Sequence, residues 1–328
     1  MGDRLVQMST ASRARRVGRR ACLQAAAGVA GFAIVRRGLA APREKVLETA
    51  RSPFNEIQVT ERGSVRTMYF VAGGARYIES RWDMANPRSL DLDYSRTMMA
   101  GLLVCPRPRR LMMMGLGGGS ITNYLFERFE DLEIDAVDID PEVVRLARRW
   151  FGVPDHPRYR THVADGRLFV ESSSAPWDMM MLDAFRGVFV PYHLKTVEFY
   201  RACRDRLTPT GVVVANLHNQ VKMYASDRES LGAVFKHQYG FISERGNQTT
   251  FVAGEGARVG TFAMRTHAAT LAPRFGFDLG ALAARHYLRR DWDPSAPKLR
   301  DDFEPSELER AAARHNETCL FDCVYPNR

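Results

Sequence analysis

Outside its first forty residues this chain has no basic run. The formal net charge is +9, but residues 1 to 40 hold eight Arg and one Asp, so that segment carries +7 and the remainder only +2. A surface that reads nucleic-acid phosphates needs a basic stripe on the folded part, and its absence argues against a nucleic-acid partner. A long apolar run is missing as well. The weakly apolar stretch Ala21 to Val35 is too short to cross about 30 Å of hydrocarbon, and Gln24, Gly28 and Gly31 dilute it further. Cysteine is scarce, at five residues, and leaves the redox compartment undecided. Hydrophobic residues, at 45%, are ample for a buried core.

What the first forty residues do contain has the grammar of an export leader. Arg13, Arg15, Arg16, Arg19 and Arg20 precede the apolar stretch, and small residues Gly38 to Ala41 precede Pro42. The segment Gly18-Arg19-Arg20-Ala21-Cys22-Leu23-Gln24 resembles a twin-arginine signal, with cleavage expected after Ala40 and transient contact with a translocation machinery. A disordered basic tail, an uncleaved anchor, cytoplasmic residence and a start at Met8 are the alternatives. At the other end, His315, Cys319 and Cys323 would align on a helix, but zinc needs a fourth ligand and a helical pair four apart is poorly placed for a disulfide, so no metal is expected.

The chemistry is concentrated after Leu111 to Met114. Gly115-Leu116-Gly117-Gly118-Gly119-Ser120 follows that apolar run, and Asp138 stands 23 positions after the first glycine. This is the order strand, tight turn, helix, strand, acid. Glycines permit positive φ and close approach to a ligand, and the next helix N-terminus offers unpaired N–H groups. A nucleoside-bearing cofactor is implied. A nicotinamide turn would carry Gly or Ala where Ser120 stands.

Organisation along the chain supports this. Residues 42–92 read as a β-region, with Ile57 and Val59, a turn at Glu61 to Ser64, a strand from Val65 to Val71 and a turn at Gly73-Gly74. A helix is expected from Tyr94 to Leu103. Strands are expected at Leu111 to Met114, Ile134 to Val137, Tyr159 to Val163, Met179 to Leu182 and Val212 to Asn216, with a turn at Thr208 to Gly211. Asp140 before Pro141, and Thr196, should cap helices. Ser226-Asp227-Arg228-Glu229 reads as a capping box opening a helix to about Tyr239, and Thr249 to Ala253 with Thr261 to Arg265 as an antiparallel pair. The alternation implies a doubly wound, mainly parallel sheet over residues 93–265, followed by a helical and loop extension over 266–328. Ligands bind beyond the carboxyl ends of such strands, where Gly115, Asp138, Asp165 and Asp183 fall.

From about Pro53 to Asn219 the chain resembles the spermidine synthase family, the polyamine aminopropyltransferases. Gly115 to Gly119, Ala136-Val137-Asp138-Ile139-Asp140-Pro141, Ala164-Asp165-Gly166-Arg167 and Leu182-Asp183-Ala184-Phe185 carry the resemblance. It implies a Rossmann-like AdoMet-dependent methyltransferase fold behind a small N-terminal β-hairpin region. It also implies decarboxylated S-adenosylmethionine, or intact S-adenosylmethionine, as donor substrate. Gly115, Gly117 and Gly118 would line the donor, Asp138 would hold the ribose hydroxyls, and Asp165 with Gly166 would recognise adenine. Asp183 would be the proton acceptor, with Tyr94 near the substrate and Asn55 in place of a donor-contacting Gln. An alkylammonium of pKa about 10.4 is free amine in only about one molecule per thousand at pH 7, so a carboxylate that orients the amine and takes its proton suits the reaction.

The chain departs from the family where the acceptor should lie. Ser120-Ile121 replaces an Asp-Gly continuation, so an acid near the donor's amine is missing, and Arg186 replaces a second Asp. Two charges about 4 Å apart interact by about 4 kcal/mol at an effective dielectric near 20, so an inward Arg186 would disfavour a dication. Arg186 is therefore expected to select an amino-acid-like acceptor or intact AdoMet, unless it faces solvent. Residues 187–194 would form a lid, in which His193 is expected to be solvent-facing or hydrogen-bonded rather than a proton shuttle. Asp301-Asp302-Phe303 resembles a segment near the end of family members. Methyl or aminocarboxypropyl transfer, and a non-catalytic nucleoside-binding protein, are the rival readings; a homodimer is compatible with all of them.

Overall fold

The computed structural model describes residues 42–185, 190–287 and 290–317. The leader, Arg186, residues 187–189 of the expected lid, Cys319 and Cys323 lie outside the described residues.

Four strands, β1 (Lys45–Arg51), β2 (Glu56–Arg62), β3 (Val65–Ala72) and β4 (Ala75–Asp83), form an antiparallel meander in that order. Gly73 and Gly74 make its last turn, with φ of 57° and 79°, the left-handed pair that suits the twist of a two-residue hairpin. Alternation buries Ile57, Val59, Met68 and Phe70 on one face.

Helices α1 (Asp93–Met98) and α2 (Gly101–Val104) then replace the single helix expected. The break has a packing reason. A Cβ on Gly101 would stand 2.6 Å from Val214 Cγ2, so the glycine lets this turn sit directly on the sheet.

The main sheet begins with β5 (Arg110–Met114), followed by α3 (Ser120–Phe126), β6 (Glu133–Asp138), α4 (Pro141–Trp150), β7 (Tyr159–Val163), α5 (Gly166–Ser172) and β8 (Trp177–Leu182). It continues through α6 (Val197–Asp205), β9 (Leu207–His218), α7 (Tyr224–Gly232), β10 (His237–Ile242), β11 (Gln248–Gly254), α8 (Thr261–Leu271), α9 (Leu279–Ala284), β12 (His286–Tyr287) and α10 (Leu308–Glu317). The spatial order is β12-β10-β11-β9-β8-β5-β6-β7, with β9, β8, β5, β6 and β7 mutually parallel. Period-two alternation splits the core. Met113, Ala136, Met181 and Val214 face α1 to α4, α8 and α9, whereas Met114, Val137, Met180 and Val213 face α5 to α7. This is the doubly wound, mainly parallel architecture behind an N-terminal antiparallel β-region.

Asp140 accepts from Glu142 N and Thr196 from Phe199 N, so both expected caps form. Three local expectations fail. Ser226 lies inside α7 rather than capping it, because Asp227 is spent on a buried contact with Tyr200 and Lys195; Tyr239 belongs to β10. Residues Thr261 to Arg265 are helical, since Met264, Ala268 and Leu271 recur at helical spacing once the window is long enough; β11 pairs instead with β9 and β10. Thr208 to Gly211 lies within β9, which starts at Leu207 to pair with Trp177. The expected boundary at residue 265 also falls inside α8.

Candidate active site

Because β5 leads one way into β6 and β7 and the chain then returns to β8 and β9, the parallel strands reverse their order between β5 and β8. A crevice opens at such a reversal. Gly115 sits at its centre with φ 90°, and a Cβ there would stand 2.3 Å from the Asp183 carbonyl oxygen. Only glycine lets these two strand ends come so close. Across the crevice mouth the carboxyl ends of β8, β5, β6 and β7 present Asp183, Gly115, Asp138 and Asp165 in that spatial order, at about 4.8 Å per strand.

A cavity of about 240 Å³ follows this track. Its wall includes Asn55, Tyr94, Gly115, Gly117, Asp138, Asp165, Gly166 and Asp183, so most of the residues singled out by sequence converge on one site. Gly118 does not. Its N–H donates to Ser80 Oγ at 2.7 Å and its Cα packs on Phe151, so its role is to seat the glycine turn against β4.

Asp138 accepts from Leu116 N at 2.9 Å and Asp140 N at 3.0 Å. Burial raises its pKa to about 6 against these N–H groups. Asn55 is held by Asp140 Oδ2 at 3.0 Å. Asp183 accepts from Asn216 Nδ2 at 2.9 Å, with the Tyr94 hydroxyl, which donates to the Glu79 carbonyl oxygen at 3.2 Å, beside it. Burial outweighs these neighbours and lifts Asp183 to about 7.

Asp165 differs in kind. Its Oδ1 caps α5, accepting from Arg167 N at 2.9 Å and Leu168 N at 3.1 Å, while Oδ2 accepts from His193 Nε2 and Asn316 Nδ2, each at 2.8 Å. Burial opposes ionisation, but the His193 and Asn316 contacts prevail and hold its pKa below the usual carboxylate value. His193 is thus buried and hydrogen-bonded, away from the cavity wall.

Sequence reasoning missed three wall residues. Glu79, on β4, is pushed well above the usual carboxylate pKa by burial and then by the Asp183 and Asp138 carboxylates. Asn216 was legible in part, since it ends an expected strand on the ligand side. Asn316 arrives from α10, and nothing in its local sequence marks it. Among the described lining residues there is no Lys or Arg. Among the described residues no cluster of His, Cys, Asp and Glu could hold a metal ion.

The pocket is therefore an acid-lined slot. Residues 93–237 match the spermine/spermidine synthase domain. The polyamine aminopropyltransferase of Vibrio vulnificus is 29% identical over 271 residues, covering 80% of this chain and 91% of the relative. In fold, the chain is similar to a probable spermidine synthase from Corynebacterium glutamicum, with a TM-score of 0.61, 20% identity, and coverage of 79% and 97%. The polyamine aminopropyltransferase of Chromobacterium violaceum is 31% identical over 248 residues, spanning 74% of this chain and 94% of its own length. A match that runs through nearly the whole of such a relative, and contains every strand end of the crevice, places this chain in the polyamine aminopropyltransferase family of transferases.

Proposed function

We propose that this chain moves an aminopropyl group from decarboxylated S-adenosylmethionine to an amine, with Asp183 as proton acceptor. The observation that carries this is the cavity wall itself, where Glu79, Asp138 and Asp183 stand with no basic side chain among the described lining residues. A sulfonium with an ammonium suits that wall. The α-carboxylate of intact AdoMet would meet like charge there.

Asp138 has lone pairs left for the ribose hydroxyls, which places the sulfonium toward Asp183. The acceptor's nitrogen attacks the carbon bonded to sulfur; the C–S bond breaks, its electrons stay on sulfur, and methylthioadenosine leaves. The nitrogen then loses a proton to Asp183. A base near pKa 7 fits this task at neutral pH. Asn216 fixes its direction, and Asn216 Oδ1, buried without a partner, can accept a second N–H of the amine. The carboxylate-bearing acceptor expected from Arg186 lacks support from this wall.

Mass spectrometry of products tests the reading. Methylthioadenosine with an aminopropylated amine is expected from the decarboxylated donor and putrescine. S-adenosylhomocysteine from intact AdoMet would replace the reading by methyl transfer. We further propose that residues 1–41 direct export; Arg19→Lys with Arg20→Lys should then hold a reporter fusion in the cytoplasm, and equal retention of the unaltered leader would sink the idea.

A further inference from the structure

A second cavity, of about 710 Å³, shares no described wall residue with the first. It opens where the chain leaving β4, the end of α3 and the segment after α8 meet. Its volume falls in the range of about 300 to 1,000 Å³ that small-molecule pockets occupy. Its charge is the reverse of the acid-lined slot. Among the described lining residues, Arg88, Arg96, Arg128 and Arg274 stand against a single acid, Glu127. They come from three separate stretches of sequence, so no basic run announces them.

Arg96 is already balanced, by Glu244 at 3.5 Å and Asp93 at 3.9 Å. The other three are not. The Arg128 side chain is only 8% exposed and lies over the Tyr124 ring, 3.3 Å from its centroid. Its Nη1 and Nη2 donate to the carbonyl oxygens of Tyr124 and Arg88, at 2.9 and 2.8 Å, and its Nε is buried without a partner. Carbonyl dipoles satisfy donors but do not cancel a charge, and the half-exposed Glu127 carboxylate that pairs with Arg128 stands 3.7 Å away. Arg274 gives only Nη1, to the Arg128 carbonyl at 2.9 Å. The Arg88 guanidinium makes no hydrogen bond or ion pair among the described residues. Capping of the helix end therefore accounts for the donors already used. It leaves the charge of three guanidiniums, and most of the donors of two, on the wall of an open cavity. Tyr124, Phe275 and Phe277 share that wall, so an anion would meet the guanidiniums beside apolar surface, where attraction is stronger than in open water.

We infer that this cavity is a second ligand site, for a small anion bearing several phosphate groups. Planar guanidinium forks match phosphate oxygens two at a time, and a multiply charged anion supplies what Arg88, Arg128 and Arg274 lack. A cationic donor or amine would meet like charge there. The inference is independent of the reaction proposed at Asp183.

Calorimetric titration of the full chain with sodium triphosphate, at fixed ionic strength, tests it. Saturable binding is expected. Arg88→Ala and Arg274→Ala should each weaken it by about 5- to 20-fold, between the effect of an exposed ion pair and that of a desolvated charged hydrogen bond, and the double variant by about 50-fold or more. Both side chains are exposed, so the variants should fold, and an unchanged melting temperature checks this. Arg88→Glu, which reverses the charge, should weaken binding further than Arg88→Ala. The arginines of residues 1–40 are the same in every variant, so triphosphate held there would not respond. Citrate, which offers carboxylates in place of phosphates, should bind about tenfold more weakly. Unaltered affinity in the folded double variant would overturn the inference, as would absence of saturable binding by the unaltered chain. Citrate binding as tight as that of triphosphate would overturn the assignment to phosphate.

Discussion

The two ends of the pocket use the same residue in opposite ways. At the β7 end Asp165 is surrounded by donors and held ionised, whereas at the β8 end Asp183 has the Asn216 amide as its donor, heavier net burial and a pKa near 7. Both are aspartates just past a parallel strand, inside a motif shared with one family. Their environments, not their identity, separate a structural anchor from the group proposed as proton acceptor.

The sharpest way to break this contrast is at the transfer end. Asp183→Asn should lower kcat by about 10²- to 10⁴-fold while leaving methylthioadenosine affinity within about threefold, as expected for loss of a general base. A parallel loss of nucleoside affinity would place Asp183 in binding instead. Next in size is the anchor end. Asp301→Ala leaves the buried Arg167 guanidinium with Glu171 as its remaining ionic partner and should cost about 1 to 3 kcal/mol of stability in denaturant titrations. A change under about 1 kcal/mol would mean that the Arg167–Asp301 pair contributes little.

The pH dependence sharpens the same comparison. With Asp183 as the proposed base, its ionised form is the active one, so kcat/KM should rise as pH increases through about 7. Stability follows two opposite signs. A carboxyl raised in the folded state, as Asp183 is, contributes stability below its unfolded pKa of about 3.9 and loses it as pH climbs toward 7. Asp165, held low, contributes stability above about pH 4 and loses it as pH falls. Asp183→Asn should therefore flatten the decline in melting temperature between about pH 4 and 7, and Asp165→Asn should not. The smallest effect is expected at Glu79. Glu79→Gln should change the preference for the decarboxylated over the intact donor by less than about threefold, seen as a KM ratio, because burial and the Asp183 and Asp138 carboxylates already favour the neutral form of Glu79. A change of about tenfold or more would mean that Glu79 acts as an anion toward the donor.

Much of the catalytic frame is legible in the sequence, because the glycine turn and each acid are tied to strand ends by local spacing. Gly115, Asp138, Asp165 and Asp183 needed only the strand and turn pattern to be placed on one side of the sheet. Gly118 was misread because its constraint comes from Ser80, 38 residues away, which no local pattern reveals. Thr261 to Arg265 were misread for the opposite reason, a window too short to show a helical period. Glu79 was hidden by its strand, since β4 reads as hairpin until its contact with the glycine turn is known. Asn316 was hidden most completely; its meaning depends on a partner 151 residues away.

That distance has a consequence for how the protein is made. The cavity wall runs from Phe54 to Asn316, so a ribosome must release almost the whole chain before the pocket exists. A nascent or clipped chain that stops short of residue 316 lacks one of the side chains of that wall. The proposed nucleoside donor would then act as a check on completeness, since whatever binds only the finished fold adds RT ln(1 + [L]/Kd) to its stability. Chains that end early would gain none of that protection.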